Sequence, residues 1–340
     1  MDDTETSDMR QKTIWRRDGF YSASTILYGI AFLAIAIAIA EGMAYLEAEN
    51  LHSSFAPHQL LSQHLISYAN LLLIGSTFLY ISHLWITTKA VGWLASSAAT
   101  LGAMGVTVAL LVRWFETDHM HPMAPATFSS LYDVTALFSA VTVVIYLAME
   151  KVYRTRAAGA FVMPIVVAAV LFESFLFSGD SGVADHLTPT LKSYWVDAHV
   201  LSNFVGYGAF AVAASLGVMY LLRERAERQF STRGFALQSL PDLQGIDRVM
   251  FEAIVFGFST YTLGTILGIA WWYEESGEFG AWTVKEVGAL AVWSIYMVYF
   301  YGRYLHRWRG SQMAWLAIFG FGLSVFCFAG ANLYLKDLHA

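Results

Sequence analysis

Nine long apolar runs constrain this chain more than any other feature. A helix needs roughly 20 apolar residues to cross the hydrocarbon core of a bilayer. Because that core offers backbone groups no hydrogen-bonding partner, such runs form helices. The sequence therefore predicts an all-α fold, a polytopic integral membrane bundle of nine transmembrane helices. The runs lie at 24–46, 66–87, 91–113, 131–150, 159–178, 197–222, 249–272, 284–304 and 311–335.

The composition agrees with this interpretation and excludes several classes of protein. The 340 residues are 57% hydrophobic and only 14% charged, whereas soluble domains carry about 25% charged residues. The longest connection, 223–248, leaves no room for a sizeable soluble domain. The single cysteine, Cys327, excludes a disulfide framework, a Cys-x-x-Cys pair and a motif for covalent haem attachment. The lipid bilayer is the implied surrounding, and no feature indicates a nucleic-acid partner.

Lysine and arginine placement predicts the orientation. Most of the 20 basic residues lie in alternate connections, beginning with the N-terminal segment. Cytoplasmic connections are enriched in lysine and arginine, so the N-terminus is predicted inside and the C-terminus outside, which an odd number of spans allows. The opposite set of connections holds only Arg113, Lys192, Lys285 and Lys336.

Histidines collect in or beside the predicted outer connections. His119 and His121 form a His-x-His pair that could chelate a metal, although polar loop residues need no such explanation. His199 lies at the outer end of the sixth span and His339 just past the outer end of the ninth, which predicts one membrane depth for both. The eight are His52, His58, His64, His119, His121, His186, His199 and His339.

The stretch "WWYEESGEFGAWTVKE", residues 271–286, lies between His199 and His339 in the sequence. Haem iron accepts imidazole as an axial ligand, and aromatic rings supply apolar faces on which a porphyrin stacks. Two imidazoles and these rings therefore suit a planar metal macrocycle. The alternative is an ordinary aromatic belt, since tryptophan and tyrosine are enriched at every membrane interface.

Two segments carry a resemblance to a known family: "SYWVDAHVLSNFVGYGAF" at 193–210 and "RGSQMAWLAIFGFGLSVFCFAGANLYLKDLH" at 309–339. They resemble the CcsA (also ResC) family, the membrane haem-handling component of system II cytochrome c biogenesis. "LLVRWFETDHMHPMAPATFSSLYDV" is similar to the family's Arg-Trp, proline and Tyr-acid segment. The resemblance covers 66–340, which implies a haem-handling domain there. Residues 1–65 would be a cytoplasmic N-terminus, an extra helix and an outer loop.

The resemblance implies a site and a reaction. Haem b would be held non-covalently at the outer face, with His199 and His339 as axial ligands. Its vinyl groups would meet the thiols of apocytochrome c, as in a holocytochrome c synthetase (haem lyase) working with a CcsB/ResB-type partner. The implied location is the bacterial inner membrane or an equivalent energy-transducing membrane. The implied lining is Trp271, Phe279, Trp282, Lys285 and Glu286, and the implied intramembrane haem path includes His83 and Tyr301.

Other interpretations stay open for these residues. Thr283 could cap a helix whose third residue is Glu286, a capping box that needs no haem. His83 is predicted well inside a span, where ionisable residues are usually functional. Tyr301 stands where the family has a histidine, and His306 lies more than a helical turn further along, which argues against a simple substitution.

The chain also departs from the family's tryptophan-rich loop. Ser276 and Gly280 stand where tryptophans are usual, and Thr283 and Val284 stand where Asp-Pro is usual. These departures support a second hypothesis. In it the chain is a degenerate CcsA-like structural or assembly subunit of a larger respiratory or electron-transfer membrane complex, without synthetase activity.

Overall fold

The computed structural model describes residues 61–86, 88–120, 131–177, 194–228, 240–276 and 284–334, and its elements are all helices. Eight helices lie within these ranges. They are α1 (Leu61–His83), α2 (Lys89–Met120), α3 (Leu131–Tyr153), α4 (Gly159–Phe177), α5 (Tyr194–Arg228), α6 (Leu243–Ser276), α7 (Val284–Tyr304) and α8 (Ser311–Tyr334). The first predicted span, 24–46, lies outside the described residues.

The eight helices coincide with the eight apolar runs that follow the first one. Within the described ranges six of them, α1, α2, α3, α5, α6 and α8, are long and apolar enough to cross a membrane. The apolar part of α4, Gly159–Phe172, is shorter. The chain is thus a polytopic helical membrane protein, and the number of nine spans stays a prediction.

Contacts between neighbouring helices show how the bundle is ordered. The α1–α4 half is joined to the α5–α8 half through α5, which packs on α3, α4, α6 and α8. Consecutive helices run antiparallel: Ser76 on α1 donates to the Ala95 carbonyl on α2 at 2.9 Å, and Arg303 on α7 pairs with Asp247 near the start of α6.

One end of the bundle therefore collects the starts of α1, α3, α5 and α7 with the ends of α2, α4, α6 and α8. We call it the His199 end, and the opposite end, where α1 finishes, the His83 end. Because α5 starts and α6 and α8 finish at one end, the last residues of α6 and α8, Ser276 and Tyr334, lie at the same end of the bundle as His199.

Several helices extend beyond the apolar runs. α6 starts at Leu243 rather than near 249, because the Asp242 carboxylate caps it by accepting a hydrogen bond from the Gly245 amide at 3.1 Å. α5 continues to Arg228, where i,i+4 ion pairs between arginine and glutamate stabilise the polar turns. Hydropathy marks only the part of a helix that lipid surrounds, so such polar extensions are missed.

α1, in contrast, ends sooner than the run at 66–87 predicts. His83 is its last residue, so the expectation that His83 lies well inside a span is wrong. Residues Ile86 to Thr88 are β-branched and favour a helix less than the preceding residues do. The Thr88 carbonyl then accepts a hydrogen bond from the Gly92 amide at 3.3 Å, which makes Thr88 the N-cap of α2.

Candidate functional site

His199 lies in the second turn of α5, and its ring faces α6. The Nδ1 atom is 2.7 Å from the carbonyl oxygen of Gly264. A carbonyl only accepts, so Nδ1 carries the proton and donates, which leaves the lone pair on Nε2. This is the arrangement by which proteins orient a metal-binding imidazole through its other nitrogen.

Asn203 lies one turn further along α5 and contacts the same ring. Its Nδ2 atom is 3.4 Å from Nδ1 and 3.2 Å from Nε2 of His199, which places the amide over the face of the imidazole rather than along the in-plane lone pair of Nε2. The Asn203 Oδ1 atom is buried and has no hydrogen-bond partner among the described residues. Asn203 is thus an incompletely bonded amide that lies against the ring.

The backbone of α6 leaves room for the imidazole at one position. A Cβ atom built on Gly268 would lie 2.5 Å from both Cε1 and Nδ1 of His199, so only glycine permits this approach. Trp271 follows Gly268 by three residues, which places it on the same face of α6 one turn towards the end of the helix. It is half-buried. The structure thus brings Trp271 and His199 to one end and one interface.

One of the remaining predicted lining residues, Glu286, lies at the same end. Glu286 is in the first turn of α7. The side chain of Lys285 lies outside the described part, as do Phe279, Trp282 and His339. α7 starts at Val284, where the capping hypothesis places the first helical residue, but Thr283 is outside the described ranges.

The stretch that was predicted as an outer loop is partly helical. α6 continues through Ser276, so "WWYEES" at 271–276 forms its last turns. Nothing in this hexapeptide breaks a helix, and the next residue is Gly277, the type most common just past a helix end. The connection between the predicted spans 249–272 and 284–304 is thus shortened to 277–283, and Trp271 lies on a helical surface, as its place in the span 249–272 predicts.

His83 lies at the opposite end of the bundle, beside a buried polar cluster that the sequence analysis overlooked. The Glu150 carboxylate accepts hydrogen bonds from Tyr80 at 2.6 Å, Tyr146 at 2.8 Å and Ser96 at 2.5 Å. Arg156 Nε completes its shell at 3.1 Å. The sequence did contain a signal for this cluster. Glu150 is an acidic residue at the end of the apolar run 131–150, and acidic residues are rare in membrane spans.

The His83 ring itself is less completely satisfied. Its Nδ1 atom is buried and has no hydrogen-bond partner in the described part of the chain. The ring and Arg156 both approach the Cα of Gly92, where a Cβ would lie 3.0 Å from His83 Cε1 and 2.8 Å from Arg156 Cδ. His83 thus lies at the helix end next to the Glu150 cluster, and the structure does not bring it near His199.

Tyr301, at the His83 end of α7, is exposed and packs edge-on against His306, with ring centroids 4.9 Å apart. The expectation that Tyr301 and His306 lie more than a helical turn apart is therefore wrong. The chain reverses after Tyr304, with Arg307 in the left-handed region (φ 53°) and the Trp308 amide bonded to the Gly302 carbonyl at 2.9 Å. Helical spacing therefore does not apply between Tyr301 and His306.

The Arg-Trp and Tyr-acid segments prove to be partners across two helices. Arg113 near the end of α2 forms an ion pair with Asp133 at the start of α3, and both side chains are buried. The Arg113 guanidinium also lies over the ring of Tyr132, 5.2 Å from its centroid. These motif residues thus join α2 to α3 at the His199 end.

The described residues form no candidate metal site built from side chains alone. They contain no group of three or more histidine, cysteine, aspartate or glutamate side chains that could hold an ion. The predicted His119–His121 pair is not covered by this statement, because neither side chain is described.

Comparison with known proteins gives a consistent result. The proteins named cytochrome c biogenesis protein CcsA from Guillardia theta and Synechococcus elongatus are each 28% identical to this chain. They align over 268 and 287 residues, which cover 74% and 71% of this chain and 86% of each relative. The CcsA of Gloeobacter violaceus is 26% identical over 295 residues. No solved structure matches.

The model of the cytochrome C assembly protein family matches residues 128–339. The match begins just before α3, includes His199, Gly264, Gly268 and Trp271, and reaches His339. It covers more than half of the chain. This helical membrane protein therefore belongs to the cytochrome c assembly protein family, whose members act in cytochrome c biogenesis.

Proposed function

We propose that this protein holds haem b non-covalently at the outer membrane face, with His199 and His339 as axial ligands, for delivery or ligation to apocytochrome c. The observation that carries the proposal is the hydrogen bond from His199 Nδ1 to Gly264 O, 2.7 Å long. It gives Nε2 the lone pair that iron ligation requires.

The residues present fit such a group. Gly268 allows the imidazole to lie directly against the backbone of α6, and Trp271 on the same face of α6 offers an aromatic wall. The buried amide of Asn203 lies against the ring. Haem would supply the iron and the vinyl groups that react with cysteine thiols. The protein's own contribution is to bind and orient that group.

The proposal extends to residues outside the described part and to the lining. Phe279 and Trp282 would complete the wall, and Lys285 would pair with a propionate or with Glu286. α8 ends at Tyr334 at the His199 end, which supports His339 as the second ligand, because it follows five residues later. His83 and Tyr301 would line the path by which haem crosses from the opposite end.

This function requires a particular topology. We propose nine spans, with the N-terminus in the cytoplasm and the His199 end outside, in the bacterial inner membrane or an equivalent energy-transducing membrane. Residues 66–340 would form the haem-handling domain, and 1–65 the N-terminal segment with the extra helix. The antiparallel order of α1–α8 and the distribution of lysine and arginine support this arrangement.

The partners follow from the family. Relatives named cytochrome c biogenesis protein CcsA support apocytochrome c as the acceptor, and we propose a CcsB/ResB-type membrane protein as the second component. In such a pair, this protein would be the haem-holding part of a holocytochrome c synthetase.

A second function, that of a structural or assembly subunit in a larger respiratory or electron-transfer complex, is favoured by one observation. Tyr301, which replaces a histidine of the family, is exposed on α7 and contacts His306 rather than the bundle interior. The departures at Gly280, Thr283 and Val284 point the same way. In this case His199 would remain bonded to Asn203 and Gly264.

Purification of the full-length protein from membranes separates the two functions. Haem binding predicts a reduced absorption spectrum of the low-spin b type and about one haem per chain by pyridine haemochrome assay. Haem-free protein that co-purifies with a large complex would instead establish the assembly function.

The Gly268→Ala variant tests the space beside His199. The new methyl group would meet the ring at 2.5 Å, so the imidazole must turn, and we expect haem content to fall about tenfold because positioning contacts of a ligand are worth that much. Gly75→Ala is the control, since nothing lies within 4 Å of a Cβ at that site. Equal haem content in both variants would contradict the proposed orientation of His199.

A further inference from the structure

A cavity of about 500 Å³ lies in the bundle and is not lined by His199. It is enclosed by α3, α4, α5 and α8, and six aromatic side chains dominate its wall. They are Phe138, Phe172, Phe204, Tyr207, Phe321 and Phe328. Their rings pack on one another across helices. Phe138 on α3 stacks on Phe321 of α8 with centroids 6.4 Å apart, and Phe204 on α5 meets Phe328 of α8 edge-on at 5.5 Å.

The few polar groups in the wall already have partners. Thr135 Oγ1 donates to the Leu131 carbonyl at 2.7 Å, and Ser324 Oγ donates to the Gly320 carbonyl at 2.9 Å. The hydroxyl of Tyr207 interacts with that of Tyr261. The hydroxyl donors of Thr135 and Ser324 are thus already used, and the rest of the wall is almost entirely apolar, so a hydrocarbon fits this cavity better than a polar molecule or water does.

The cavity opens sideways rather than towards either end of the bundle. Pro164 and Ala168 of α4 and Val325 of α8 are lining residues, and all three are exposed. α4 packs on α1, α3 and α5, while α8 packs on α5, α6 and α7, so the two helices leave a gap between them. Pro164 lies in the second turn of α4, and Ala168 and Val325 lie in middle turns of α4 and α8, so the gap left by the described helices faces sideways, towards the bilayer.

The size of the cavity limits what can fill it. A helix is about 10 Å across, so roughly one turn would occupy the whole volume, and a transmembrane helix does not fit. Aromatic walls without an occupant would lose their dispersion contacts on one side. The surrounding bilayer supplies a flexible apolar chain that can enter from the side.

We propose that this cavity is a binding site for one acyl chain of a membrane phospholipid, inserted between α4 and α8. The acyl chain contacts the aromatic side chains of the wall and fills the space between α3 and α5. The headgroup of the lipid lies at the membrane–water interface, outside the cavity. The site is separate from that of the proposed function, because neither His199 nor any described residue of α6 lines the cavity.

Native mass spectrometry of the full-length protein, purified from membranes in mild detergent, tests the site. We expect one phospholipid per chain to survive delipidation. In the Ala168→Phe/Ala169→Phe variant, the added rings fill the cavity, and we expect at least about tenfold less retained phospholipid, as several buried methylene contacts are lost. Gly322→Leu is the control, because it adds a similar apolar group on α8 where nothing lies within 4 Å. Equal retention in the filled variant and the wild type would overturn the proposal.

A second measurement does not depend on the filled variant folding. The wild-type protein is placed in nanodiscs of phosphatidylcholine that contain a phospholipid with a diazirine in the middle of one acyl chain. Illumination should attach this lipid to Phe204, a buried side chain that an acyl chain reaches only through the cavity. Adducts confined to exposed residues such as Phe319 would overturn the proposal, as would retention of detergent alone.

The haem content of the filled variant distinguishes a failure of this inference from a failure of the proposed function. Filling the cavity should leave the reduced spectrum unchanged, since His199 does not line the cavity. A filled variant that loses haem but keeps its phospholipid would show that a porphyrin, and not an acyl chain, is the occupant.

Discussion

The His199→Ala variant is expected to lose its bound haem almost completely. His199 is the one proposed axial ligand whose surroundings are described. Its Nδ1–H bond to Gly264 holds the ring and leaves Nε2 available. Outer partners of a metal ligand alone are worth 10–100-fold in affinity, so removal of the ligand itself should cost about a hundredfold or more. The pyridine haemochrome assay and the reduced spectrum of purified protein measure the loss.

A matched histidine serves as the control for this variant. His306 is exposed at the His83 end, where it contacts Tyr301 and Trp308. The His306→Ala variant should therefore keep its haem and the wild-type spectrum. If His199→Ala retained a low-spin b-type spectrum at full occupancy, His199 would not be an axial ligand.

Removal of one partner of the buried ion pair between Arg113 and Asp133 should have the largest effect on the stability of the protein. The side chains of Arg113 and Asp133 are 7% and 2% exposed, respectively. The Arg113→Ala variant leaves the Asp133 carboxylate buried without its counter-charge, which typically costs about 3–5 kcal/mol. We expect a loss of this size in the free energy of unfolding in detergent, together with a lower yield of folded protein.

Two further variants show whether the charge is responsible. The double variant Arg113→Leu/Asp133→Leu removes both charges, and replacement of a buried pair by apolar side chains is often neutral or stabilising. It should regain most of the lost stability. Arg228→Ala breaks an exposed pair with Glu224 and should cost no more than about 1 kcal/mol. If the double variant were as unstable as Arg113→Ala, loss of packing rather than an unpaired charge would explain the effect.

The helices were predicted well and their ends less well. Runs of apolar residues mark where lipid surrounds the chain, so each described helix coincides with a predicted span. The ends depend on local contacts that hydropathy does not contain. Asp242 caps α6 ahead of its apolar run, and "WWYEES" continues α6 because nothing before Gly277 stops it.

The sequence identified His199 and Trp271 as candidate site residues, and the structure places them on the packed helices α5 and α6 at one end of the bundle, while their role in a site stays a prediction. Their relation to Gly264 and Gly268 could not be predicted. These glycines lie on another helix, about 65 residues along the chain, and glycines in spans are common. Residues 279, 282 and 339 remain predictions, because they lie outside the described ranges.

The sequence by itself determined that this is a polytopic helical membrane protein with a cytochrome c assembly resemblance. The length of an apolar run and the residues of a motif are local properties of the sequence, and folding does not change them. Only the tertiary structure decided which residues meet. It paired the Arg-Trp and Tyr-acid motifs through Arg113 and Asp133, and it turned His306 back onto Tyr301. It also gave His199 its protonated Nδ1 and opened the cavity between α4 and α8. Each of these depends on the packing of helices that are distant in sequence, and that packing is set by side-chain shape across the interfaces.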